Sequence, residues 1–448
     1  MTRAKVNTVS MWIVSATVAL TPLALGGNRP LLWPILLAVL SSTLVFNAAS
    51  LMRLGAAPAA ALSVYKLEIA IVALFFLFAI YQIVPTGWIE PLSDYGLPDA
   101  MTVSVAPNES LLFIITWLNV FILGYLVIQF TRNEQRSIEF LTILFWIVVA
   151  HAALGFVLFH EFEDSTILGP KWAYLGSMTG AFVNRNTFAT FLASGAVVGT
   201  ALVLRDFAKS GSGLYGATTS SMSWLIKIVG ICLIVAVLFG TGSRMGLFVG
   251  FLGIILTISL IVPRQIAEGR RLRKVLSIVF FAVIALAMLL WAYGTQTIER
   301  LGTVERSADV RFALYEQTWK MIMARPWTGF GGGAYELAFP LFHQPDVNVD
   351  LLWQKAHNSY LGLWADYGLI FGSLPWLVLV VLISRMLGAV WIRSAPDYAA
   401  IASIVVAIIA MIHATVDFSL EIQGYALLFA AIMGTGAARI AMSQRQSR

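Results

Sequence analysis

Apolar runs of about 18 to 22 residues recur from one end of the sequence to the other, and they restrict the fold more than any other feature. Each is long enough to cross the hydrocarbon of a bilayer as a helix, which takes about 20 residues. The runs are continuous, whereas a membrane barrel would show segments of about ten residues with alternating character. The expected class is all-α, a polytopic helical membrane protein, with 1–448 forming a single integral membrane domain. Twelve spans are predicted, at 9–26, 31–51, 64–84, 110–130, 138–159, 186–204, 224–240, 245–262, 275–293, 368–390, 398–416 and 423–440. The first run, Met11 to Leu25, reads as a retained span and not as a cleaved signal. Composition agrees: 59% of residues are hydrophobic and 12% charged, about half the charged share of a soluble domain. The single cysteine, Cys232, falls mid-span and offers no disulfide framework.

Basic residues orient the spans. With the N-terminus inside, ten of the 29 Lys and Arg face outward, and the other 19 anchor the inner side. The run Arg270, Arg271, Arg273, Lys274 is the densest inner group, and the loop Pro85 to Glu109 carries acids with no Lys or Arg. Both termini are therefore expected inside. The net charge of +6 follows from this anchoring and does not indicate a nucleic-acid partner; the partner is the lipid bilayer. Gly211 to Ser223, rich in Gly, Ser and Thr, reads as a flexible inner loop. The longest polar interval, 294–356, is expected as an outer loop between spans nine and ten. Within it, Val310, Phe312, Leu314, Trp319 and Met321 to Met323 recur at helical spacing. They predict an amphipathic helix over the outer mouth, with Ser307 as its cap and Pro326 after its end. The cluster Gly329-Phe330-Gly331-Gly332-Gly333 lacks the Lys-Ser/Thr ending of a phosphate loop and reads as a hinge.

The outward arginines are the chemical candidates. Arg185 lies in VNRNTFATF at the mouth of span six, and Arg244 in GTGSRMG, in a very short turn between spans seven and eight. Arg311 lies in the predicted outer helix, with Asp309 and Glu316 nearby. An arginine fork never loses its proton and suits phosphate oxygens, so several forks on one pocket suit a diphosphate. The plainer reading is that each snorkels to the interface or pairs locally. His357 begins an amphipathic turn with Tyr360, Leu361, Trp364 and Gly368, and can take a proton from a hydroxyl. Its plainer reading is an interfacial histidine at a helix start capped by Asn358. His413 and Asp417, four apart, form either a supporting pair or a local hydrogen bond. Glu161, Glu163 and Asp164 form an acidic cluster, more simply a solvated loop than a cation site.

These motifs come in an order. Ser243-Arg244-Met245-Gly246 is followed by Arg311 with Tyr315. Arg325-Pro326-x-x-Gly329-x-Gly331, His357-Asn358-Ser359-Tyr360-Leu361 and Asp366-x-Gly368 come after. The set resembles the O-antigen ligase and polymerase family, most strongly from about residue 180 to 372. The resemblance implies a bacterial inner-membrane glycosyltransferase that takes a glycan from undecaprenyl diphosphate and passes it to an acceptor hydroxyl on the periplasmic face. Ligases of the family use the lipid A core as acceptor, and polymerases use a growing polysaccharide. By match, His357 is the base, and Arg185, Arg244 and Arg311 hold the diphosphate. Asn358, Tyr360, Tyr315, His413 and Asp417 are supporting candidates.

The chemistry needs no cofactor and no metal: fixed arginines neutralise the leaving diphosphate, and no outward Asp-x-Asp pair is present. Direct displacement inverts the sugar. The competing class is a twelve-span secondary transporter. Such proteins show two related halves and midplane ionisable residues, whereas here the candidates cluster at the outer face.

Overall fold

The computed structural model describes residues 2–58, 60–85, 101–131, 133–210, 217–267, 304–347, 352–391 and 395–446, and these are all-α. The membrane helices in chain order are α1 (Arg3–Leu20), α2 (Leu32–Arg53), α3 (Lys66–Ile83), α4 (Pro107–Phe130), α5 (Glu134–His160), α6 (Arg185–Ser210), α7 (Ala217–Gly240) and α8 (Arg244–Ala267). The outer segment then supplies α9 (Val304–Ala324), α10 (Tyr335–Ala338) and α11 (Ser359–Phe371). The last three are α12 (Leu374–Trp391), α13 (Tyr398–His413) and α14 (Gln423–Gln446). Among the described residues ten helices are long and apolar enough to cross a membrane, and α13, at 16 residues, is a shorter apolar one. Together they account for every expected span but 275–293, which lies outside the described residues.

Two helices sit at the centre. α6 is buried along its whole span and α14 along most of it. The α6 sequence ATFLASGAVVGTALV explains this: small residues let neighbouring backbones approach, which is how helices associate in lipid. A Cβ on Gly195 would clash with the Val148 side chain on α5. Around this pair pack α4, α5, α7, α8 and α13.

Four expectations change, the last of them at the glycine cluster. Ser307 falls inside α9 and not at its cap, because the helix already runs from Val304. The tenth span starts at Leu374 and not at 368: Gly368 (φ +72) kinks the path inside α11, which runs on to Phe371 and ends at Gly372 before α12 begins. In the inner loop, residues 211–216 lie outside the described residues, and the part from Ala217 is helix. Ser223 there donates to Asp206, which also pairs with Lys227 at 2.7 Å.

The glycine cluster is a packed junction and not a hinge. The Phe330 and Gly331 N–H groups donate to the carbonyls of Ala365 and Asp366, both at 2.9 Å. The Gly333 N–H donates to the Asp366 carboxylate at 2.8 Å. Burial pushes that carboxyl up to about 7, with Lys355 pulling the other way. Gly329 (φ +64) could not carry a side chain, since its Cβ would meet the Asp366 carbonyl oxygen at less than van der Waals distance. Leu314, Met321 and Ile322 of α9 join Phe330, Tyr335 and Phe339 in a core of the outer segment itself. We expect Gly329→Ala to cost roughly 2–5 kcal/mol through left-handed strain plus overpacking. Thermal unfolding of the purified protein in detergent measures it, and an unchanged melting temperature would refute this packing role.

Candidate active site

His357 stands just outside α11. The Asn358 side chain caps that helix, accepting from the N–H groups of Tyr360 (2.9 Å) and Leu361 (3.1 Å). To lead into the cap, His357 takes a left-handed backbone, φ +51, which is uncommon without glycine. The surroundings hold it there. The Tyr315 hydroxyl donates to the His357 carbonyl at 3.0 Å. The Ser359 N–H donates to the Ala414 carbonyl at 2.9 Å, and its hydroxyl to the Glu421 carboxylate at 3.0 Å. Glu421 also pairs with Lys355 at 2.9 Å, so one carboxylate grips the chain on both sides of His357.

The imidazole is wedged edge-on between Trp353 (5.8 Å between centroids) and Phe418 (4.9 Å). It lines a cavity of about 400 Å³. Burial pushes its pKa below the ordinary histidine range; Asp417 and Glu421 oppose the shift and Arg311 adds to it. A base works in its neutral form. A lowered pKa keeps His357 neutral to more acidic pH than a free histidine, whose value is about 6.5. Activity is therefore expected to hold down through neutral pH and to be lost only as pH falls below about 6.5. Asp417→Asn removes an opposing charge and should move that acid limb lower still. A pH–rate profile with its limb above the free value, or unmoved in the variant, would count against His357 as the titrating group.

The arginines arrive from three elements. Arg185 is the first residue of α6 and Arg244 the first of α8. Asn186 ties the two helix starts together: it accepts from the Ser243 hydroxyl at 2.9 Å and donates to Asp417 at 3.3 Å. The Arg185 guanidinium lies 5.5 Å over the Tyr174 ring and donates to Ser177 at 3.3 Å. From α9, Arg311 acts electrostatically on Tyr174, Tyr315 and His357. Two helix N-termini and three guanidinium groups thus concentrate positive charge at one end of the bundle, beside a buried aspartate.

Other candidates point elsewhere. Tyr360 stacks on Trp376 at 4.0 Å and donates to the Met411 carbonyl, so it belongs to the helix core and not to His357. Trp364 donates to Ser373. α13 ends at His413, so Asp417 lies in the connection beyond it. His413 meets the Thr190 hydroxyl at 2.9 Å and stands 3.9 Å from Asp417. Asp164 turns to Lys171 and the Gly176 N–H (2.7 Å), and no group of three His, Cys, Asp or Glu suited to a metal forms among the described residues. Sequence reasoning missed Tyr174, Asn186, Lys355 and Glu421. Asn186 was within reach, since it adjoins Arg185 in VNRN; Glu421 carries no local signal, because its partners lie 62 to 66 positions away.

Residues 229–377, from within α7 to the start of α12, match the family model described as O-Antigen ligase. Over these residues the chain is similar to the O-antigen ligase family. The match takes in Arg244, Arg311 and His357, while Arg185 and Asp417 lie outside it. Teichuronic acid biosynthesis protein TuaE of Bacillus subtilis (strain 168) is 24% identical over 257 residues, 55% of this chain and 49% of that protein. The chain thus spans about half the length of this curated relative.

Proposed function

We propose that the chain is a lipid-carrier-dependent glycosyltransferase of the bacterial inner membrane, of the O-antigen ligase type, working on the periplasmic face. The observation that carries this reading is a cavity-lining histidine, under the electrostatic influence of Arg311, at the end of the bundle where Arg185 and Arg244 begin α6 and α8. His357 takes the proton of an acceptor hydroxyl on the lipid A core. The acceptor oxygen forms its bond to the anomeric carbon from the face opposite the diphosphate. The bond from that carbon to the diphosphate oxygen breaks, and its electron pair leaves with undecaprenyl diphosphate. Arg185, Arg244 and Arg311 stabilise the charge that develops there, without a metal. The single attack inverts the sugar.

A second reading, repeat-unit polymerase, is favoured by the relative's name, which places that protein in the making of a polymer. The glycan phenotype of a deletion strain separates the two. Loss of polymer from lipopolysaccharide with carrier-linked polymer accumulating supports the ligase, and carrier-linked single repeats support the polymerase. Normal glycans in that strain would sink both.

The orientation is testable alone. In a Cys232→Ala background, an impermeant thiol reagent should label Leu168→Cys in intact cells and leave Arg53→Cys unlabelled. Both residues are exposed at opposite ends of the bundle. The reverse pattern would place the site in the cytoplasm and overturn the periplasmic assignment.

A further inference from the structure

The cavity beside His357 has a wall that the transfer step leaves unused. Asn28 and Arg29 from the turn after α1, Trp172 from the α5–α6 connection, and Asn184 and Thr187 at the start of α6 build it. The Asn184 Nδ2 and the Thr187 Oγ1 are buried without a hydrogen-bond partner among the described residues. Asn184 is only 9% exposed and Thr187 fully buried, and both residues line the cavity. Trp172, by contrast, stands 60% exposed on the same wall. An open indole face, an unpaired amide donor and an unpaired hydroxyl are complementary to a sugar ring, with its C–H face and its ring of hydroxyls.

The wall also says which sugar. His357 lines this cavity, whereas Arg185, Arg244 and Arg311 do not. A general base must reach the attacking hydroxyl, so the sugar held here is the acceptor's. Arg185, assigned above to the donor's diphosphate, stands over the Tyr174 ring, 5.5 Å from its centroid, and Tyr174 lines the cavity. Arg29 is exposed on the rim and pairs with no carboxylate of a described residue. Its fork matches a carboxylate or a phosphate group.

We propose that this wall is the acceptor subsite and that it takes an anionic sugar, with Trp172 against the ring, Asn184 and Thr187 on its hydroxyls, and Arg29 on a carboxylate or phosphate substituent. The assignment rests on the transferase reading and adds the chemical class of the acceptor.

Direct binding tests it without a donor. The full chain in lipid nanodiscs is probed by saturation-transfer NMR with methyl glucuronide, glucose 6-phosphate and methyl glucoside. At least one anionic sugar should bind more tightly than the neutral one, and the tighter of the two identifies the substituent. Arg29→Gln should weaken the anionic sugar about tenfold, to the level of the neutral one. Thr187→Val should weaken all three alike, and Trp172→Ala should abolish transfer to each. Arg53→Gln, at the far end of the bundle, should change nothing. Equal binding of neutral and charged sugars, or equal weakening of all three by Arg29→Gln, would remove the anionic assignment. No saturation transfer to any sugar in the wild-type protein would remove the subsite. Either failure leaves the transferase reading standing, because that reading is judged by turnover and by the deletion phenotype.

Discussion

His357→Ala is expected to lose activity by roughly 10²–10⁴-fold while the protein still folds and binds its donor. The loss should fall on turnover and not on donor affinity, because the proton moves only in the transition state. The structure makes the folding half of this expectation concrete. The ties around His357 are made by its neighbours and its backbone: Asn358 caps α11, Ser359 reaches Ala414 and Glu421, and Tyr315 holds the His357 carbonyl. The imidazole contributes edge contacts to Trp353 and Phe418 and little else. Alanine at a left-handed φ is somewhat strained, so His357→Asn, which tolerates that backbone, is the companion variant. His343, in the same outer segment, packs its ring against Phe339 and lies away from the cavity wall. Its alanine variant should keep near wild-type turnover. A folded His357→Ala or His357→Asn protein with a normal transfer rate would end the catalytic assignment.

Arg244→Lys should lower activity by roughly 10²–10³-fold although the charge is kept. Lysine offers a point charge where the site presents a planar fork at the start of α8, beside the Ser243–Asn186 bridge. Arg185→Lys should behave similarly and should also lose its stack on Tyr174. Excess EDTA should leave the wild-type rate unchanged, because guanidinium groups do the work a cation would do. Activity that vanishes with chelator and returns with magnesium or manganese, or an Arg244→Lys enzyme at near full rate, would move the diphosphate away from these arginines.

Much of the architecture was legible before any coordinates. Helices in lipid must satisfy their own backbone, so an apolar run of about 20 residues specifies a span almost by itself. α9 was legible for a related reason: one face had to leave water, and Leu314, Met321 and Ile322 recur at the period that does it. Asn358 was readable as a cap because capping is a contact between near neighbours. The readings that changed concern backbone and side-chain direction. Glycines at 329 and 331 look like a hinge in sequence, since flexibility and close approach call for the same residue. Only the backbone of α11 lying against them shows which applies. Tyr360 shares a helical face with the histidine on paper, but His357 is outside the helix, so the shared face never forms.

Local composition and spacing are enough for the all-α membrane class, the order of the motifs and the residues able to do acid–base and phosphate chemistry. The tertiary structure alone decided which of them meet. Arg185, Arg244, Arg311, His357 and Asp417 come from five separate parts of the chain, and they meet because α6 and α8 start at the same end of the bundle on which α9 and α11 pack. Glu421 gripping Lys355 and Ser359, and Asn184 and Thr187 turning to the cavity, are contacts across long stretches of chain. Pairings of that kind follow from how helices pack, and no local period records them.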